Sequence, residues 1–88
     1  MLKREFNIIN KLGLHARAAA QLVQKANQFS SEVTLFKDDV EVNGKSIMGI
    51  LLLAAPQGTK IAVAACGSDE EQAMEAIAAL IEDGFWED

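Results

Sequence analysis

Gly13-Leu14-His15-Ala16-Arg17-Ala18-Ala19-Ala20 is where the chain changes its period. Upstream, Arg4-Glu5-Phe6-Asn7-Ile8 alternates polar and apolar, the repeat of a half-buried strand with Phe6 and Ile8 inward. Downstream, Ala19, Leu22, Val23, Ala26 and Phe29 fall at helical spacing and predict one buried stripe. Asn10-Lys11-Leu12-Gly13 between the two reads as a loop. Ala16 and Ala20 lie off the stripe and are expected at the surface. The stretch therefore joins a strand to a helix, with the only histidine of the chain at the junction.

The remaining elements follow outward from that junction. Ser30-Ser31 stops the helix. Val33 and Leu35 alternate with Thr34 and Phe36 as a second strand, Asp38-Asp39 turns the chain, and Val40-Glu41-Val42 returns as a short third strand. Asn43-Gly44-Lys45 is another turn. Ser46 then caps a short helix carrying Ile47, Met48, Ile50, Leu51, Leu52 and Leu53. That helix is apolar nearly all round, more than so small a chain can bury, so part of it is expected to be exposed for a partner. Pro56-Gln57-Gly58 ends it. Lys60-Ile61-Ala62-Val63-Ala64-Ala65 reads as a fourth strand, with Cys66 at its end as a small core residue. Ser68-Asp69-Glu70-Glu71 has the pattern of a capping box. It opens a third helix whose stripe is Ala73, Ala76, Ile77, Leu80 and Ile81, ended by Gly84. The order is β-α-β-β-α-β-α. Alternating strands imply a sheet covered on one face, so an α+β arrangement is expected.

Composition bounds the function. The chain has 88 residues, read as a single domain over 1–88, and half of them are hydrophobic. Its net charge is −5, and it has few aromatics, a poor composition for binding nucleic acid. No apolar run is long enough to insert in a membrane, and no secretory signal is evident. One cysteine allows no internal disulfide, and a reducing cytoplasm is the expected location. The charge is also split. Residues 1–30 hold Lys3, Arg4, Lys11, Arg17 and Lys25 against Glu5 alone, whereas the acids crowd residues 69–88. A phosphate or an acidic partner surface suits the basic end.

The chemistry converges on His15. No second His or Cys stands at ligand spacing, so no metal and no cofactor is expected. No serine sits in a nucleophile motif. A helix start, however, leaves backbone N–H groups without intrahelical partners, and its dipole is positive there. A neutral imidazole at that point can take up a phosphoryl group whose charge meets the amides of Ala16, Arg17 and Ala18. The Arg17 side chain adds a fork of donors to the same oxygens. The residues do not choose between the two ring nitrogens.

Gly13-Leu14-His15-Ala16-Arg17 with Ala19, followed by Asn43-Gly44-Lys45-Ser46-Ile47-Met48-Gly49-Ile50-Leu51, resembles the histidine-containing phosphocarrier (HPr) family of the bacterial phosphoenolpyruvate-dependent phosphotransferase system. The resemblance spans essentially the whole chain, and the two motifs together are specific. It implies an open-faced sandwich, a four-stranded antiparallel sheet with three helices on one face. It implies that His15 accepts a phosphoryl group on Nδ1 from enzyme I and passes it to an enzyme IIA domain, with Arg17 assisting. The protein would then be a carrier with a covalent phosphohistidine rather than a free-standing enzyme; a monomer is the default expectation, which the sequence itself does not decide. Ile47, Met48 and Leu51, with Ala16 and Ala20, match the family's docking patch. Ser46 matches its regulatory serine, the target of a serine kinase and phosphorylase in some bacteria. Ala18 departs from the family, which usually has proline there, and a slightly less rigid but competent site is expected. Two other readings stay open. One is a nitrogen-branch regulator that signals by its phosphorylation state. The other is an interaction domain whose histidine is not used.

Overall fold

The computed structural model of the protein describes residues 1–86. In chain order the elements are β1 (Leu2–Asn7), α1 (Ala16–Ala26), β2 (Glu32–Lys37), β3 (Val40–Asn43), α2 (Ile47–Leu53), β4 (Lys60–Cys66) and α3 (Glu70–Glu82), followed by a 3₁₀ turn at Gly84–Trp86. The strands form one antiparallel sheet in the order β1-β4-β2-β3. Register explains which face is covered. Phe6 lies opposite Ile61, Val63 opposite Leu35, and Leu35 opposite Val42, so the alternating apolar residues share one side. The three helices bury that side, with Leu22 of α1, Ile50 and Leu53 of α2, and Ile77, Leu80 and Ile81 of α3 in the same core as the strand residues. The other side carries Glu5, Ala62, Phe36 and Glu41 in one row, and Lys3 rests its ammonium over the Phe36 ring. The expected α+β sandwich with helices on one face is the fold. Among the described residues, no helix is long and apolar enough to cross a membrane.

Gly13 shows why the loop before α1 has the sequence it has. Its φ is +67°, a left-handed conformation that favours glycine, and a Cβ there would collide with the Ala55 carbonyl. The close approach is used: Leu14 donates its N–H to the Ala55 oxygen at 2.9 Å. At its own end, α2 closes with Ala54 in the left-handed region (φ 49°, ψ 54°), a conformation that costs an L-residue roughly 1 kcal/mol.

Three expectations need correction. Ser68 does not cap α3. The helix starts one residue later, with Asp69 at the cap position making no side-chain cap bond. Its carboxylate is turned to Ser30 and Ser31, taking both backbone N–H groups at 2.9 Å and both hydroxyls. Glu70, not Glu71, reaches back, accepting the Gly67 N–H at 3.1 Å. Cys66 is exposed rather than in the core. On β4 it is Ile61, Val63 and Ala65 that are buried on the covered side, and alternation sends Cys66 outward. Finally, α1 ends at Ala26, so Ser30-Ser31 lies beyond the helix stop and serves the Asp69 junction instead. The core also takes residues absent from the predicted stripes: Ala18, Met74, Ala78 and Phe85. Phe85 is fully buried, worth about 1.5–3 kcal/mol of apolar burial.

Candidate functional site

His15 is the N-cap residue of α1. Its backbone is extended (φ −79°, ψ −179°), and its carbonyl accepts the Ala19 N–H at 2.8 Å, the first bond of the helix. The imidazole takes the role that a serine or aspartate oxygen usually fills: Nδ1 accepts the Arg17 N–H at 3.3 Å. The lone pair of Nδ1 is therefore aimed at the amide end of the helix. The ring is half-buried and so reachable from solvent.

The surroundings hold this geometry. The Asn10 side chain donates from Nδ2 to the Gly13 carbonyl at 2.8 Å, closing the loop that carries the histidine. Leu14 is buried in the core and bonded to Ala55, so the residue before His15 is fixed by side chain and backbone. Ala16 and Arg17 are exposed, and Ala20 is half-exposed. Ala18 is fully buried, with its methyl in the core. The first turn of α1 contains no acidic residue. The field there comes from the helix dipole and the Arg17 cation, both favouring an anion.

The second motif lies on α2, which packs beside α1. Ser46 is its N-cap, and its Oγ accepts the Gly49 N–H at 3.0 Å. Ile47, Met48 and Leu51 are exposed, as the surplus of apolar residues on this helix predicts. Leu52 is exposed as well, at 72%, as much as Met48 at 71%, and it extends the patch by a residue that the motif alone does not mark. Lys45, next to Ser46, ties the helix start to the end of the α1 segment through the Phe29 carbonyl at 2.8 Å. No group of three or more His, Cys, Asp or Glu among the described residues has the arrangement to hold a metal ion.

Comparison with known proteins identifies the family. The family described as the PTS HPr component phosphorylation site matches residues 2–83. The phosphocarrier protein HPr of Neisseria meningitidis is 54% identical over 87 residues, covering 99% of this chain and 98% of that protein. The HPr of Xylella fastidiosa is also 54% identical, over 88 residues. Among solved structures, HPr of Thermoanaerobacter tengcongensis superposes with a TM-score of 0.96 at 48% identity, covering 100% of this chain and 99% of that one. An HPr dimer from the same organism matches with a TM-score of 0.77 over 97% of this chain. With a phosphorylation-site family spanning nearly its whole length and relatives sharing half its residues, this chain belongs to the HPr phosphocarrier family of the phosphotransferase system.

Proposed function

We propose that the protein carries phosphoryl groups from enzyme I, charged by phosphoenolpyruvate, to an enzyme IIA domain. The observation that carries this reading is the Nδ1–Arg17 hydrogen bond. In the neutral ring, Nδ1 is the unprotonated nitrogen and the nucleophile. Its lone pair attacks phosphorus in line as the bond from phosphorus to the donor breaks. The Arg17 amide then loses its nitrogen acceptor and meets a phosphoryl oxygen in the same place, with no movement of the backbone. The other amides of the first turn, at Ala16 and Ala18, and the Arg17 guanidinium offset the rest of the charge. None of these donors encloses the group. It is held at the surface and can leave again to the next acceptor.

Docking falls to the exposed apolar side chains Ile47, Met48 and Leu51 of α2, with Ala16 and Ala20 of α1. Ser46, at the edge of that patch, is the regulatory site. A phosphate there adds roughly −1.5 to −2 charges and weakens docking to an acidic partner surface. The carrier works as a monomeric domain in the cytoplasm. Incubation with enzyme I and phosphoenolpyruvate tests the proposal. The expected product is an acid-labile adduct on His15, absent from His15→Ala and discharged by an enzyme IIA domain. A natural chain that gains no adduct refutes the carrier role.

A further inference from the structure

Lys37 stands at an unexpected place. It is the last residue of β2, and its position has the parity of Val33 and Leu35, the inward residues of that strand. A lysine there would ordinarily be out of register with the core. Its stem is half-buried, and its ammonium donates to two carbonyls at the end of α2, Leu53 at 3.1 Å and Ala54 at 3.1 Å. The helix needs such a partner. It has no basic residue in its own last turn, and it closes on an alanine in the left-handed conformation where glycine or asparagine is usual. Lys37 supplies from another strand both the hydrogen bonds and the positive charge that this helix end favours.

The next carbonyl in the chain belongs to Ala55, and it receives the Leu14 N–H at 2.9 Å. Gly13 packs directly on Ala55 and Pro56. Leu14 is adjacent to His15. Three consecutive carbonyls, 53, 54 and 55, thus connect an ammonium on one side to the histidine loop on the other.

We infer that Lys37 is a positioning residue: by fixing the end of α2 it sets both the tilt of the docking helix and the seat of the His15 loop. The functional part rests on the phosphocarrier reading above. Two variants separate the possibilities. Lys37→Met keeps the stem and removes the charge, whereas Lys37→Arg keeps two-point donation. Native-state amide exchange is measured for all three chains, with Leu14 as the reporter and Val63 in the central strand as the reference. Loss of bonds from a charged donor should speed Leu14 exchange about tenfold in Lys37→Met, leave Val63 unchanged, and be restored in Lys37→Arg. The KM for enzyme I should rise in the Met variant and return in the Arg variant. Unchanged Leu14 exchange, or equal acceleration at Val63, overturns the positioning role. Faster Leu14 exchange with an unaltered KM overturns its link to docking. Should the natural chain take no phosphoryl group at all, the carrier reading fails while the exchange comparison still decides whether Lys37 holds the loop.

Discussion

The starts of α1 and α3 are built for opposite ends. At α3 the chain supplies its own anions. Glu70 and Glu71 occupy the first turn, Glu70 closes on the Gly67 amide and pairs with the Met1 ammonium at 3.1 Å, and Asp69 clamps Ser30 and Ser31. At α1 the first turn has no acid, and the cap is an imidazole whose Nδ1 accepts the Arg17 N–H at 3.3 Å. The same backbone dipole is thus answered by the chain's own carboxylates in one helix and by no acidic side chain in the other. The difference lies in side chains alone.

Making α1 resemble α3 should give the largest effect. Ala16→Asp places a carboxylate in the first turn, beside the position proposed for the phosphoryl group. Helix stability should rise slightly, since an acid suits that end. Single-turnover transfer from phosphorylated enzyme I, at saturating partner, should fall by about tenfold or more, because like charges would then share one site. A variant that is more stable yet transfers at the natural rate would break the comparison, since it would show that the empty first turn has no role in holding the group.

The reverse change, at α3, should cost stability and spare transfer. The Asp69 carboxyl is held down to about 2, first by the Ser31 hydroxyl, then by the Ser30 amide and the remaining donors of the two serines. An acid whose value is lowered on folding stabilises the folded chain above its unfolded value, here 3.8, and the contribution is lost as pH drops through the folded one. The melting temperature of the natural chain should therefore fall as the pH goes from about 4 to about 2. In Asp69→Asn the melting temperature at neutral pH should be lower and this acid limb much shallower. A small slope should remain from Glu70, whose carboxyl is lowered by the Gly67 amide and the Met1 ammonium. Phosphoryl uptake at neutral pH should not change. An acid limb as steep in the variant as in the natural chain would show that the clamp is not its source.

The sequence reveals one of these helix starts well and the other poorly, for physical reasons. At α1 every signal is local: a change of period, a glycine before the histidine, and no competing cap. Ser46 is legible on the same terms. At α3 the S-x-x-E pattern over Ser68 to Glu71 is real but is outweighed by contacts 38 and 39 residues away. A local motif carries no record of a tertiary competitor, and Asp69 gains more from four donors than a cap would give it. Alternation along β4, with Ile61 and Val63 inward, is enough to send Cys66 outward, and the expectation of a core cysteine neglects it. Lys37 and Phe85 are different. A lysine at an inward parity reads as a strand end, and the burial of Phe85 depends on a left-handed backbone (φ 56°) that the sequence gives no reason to expect of a phenylalanine. The exposed apolar surface of α2 is legible in kind, as a surplus of apolar residues, but not in extent, because the exposure of Leu52 depends on how α2 is rotated.

The smallest effect should come from Ala18→Pro, which restores the family's usual residue. Ala18 is the third residue of α1, so its N–H has no intrahelical acceptor, and a proline there breaks no bond of the helix ladder. Two terms oppose each other. A proline that fits its site removes freedom from the unfolded chain, worth about 0.4–1 kcal/mol. Against that, the ring must be accommodated where the alanine is already fully buried, and overpacking a filled core costs about 1–3 kcal/mol. The ring's extra carbons start from the nitrogen of a residue with no exposed surface, so the second term should prevail and leave a net loss of about 1 kcal/mol. One donor to the phosphoryl group is lost, but the Arg17 amide, already at Nδ1, and its guanidinium remain. The transfer rate should change by less than about twofold. If the natural chain proved inactive and the proline variant active, the pre-set φ of proline rather than the empty first turn would be what makes this helix start a phosphoryl site.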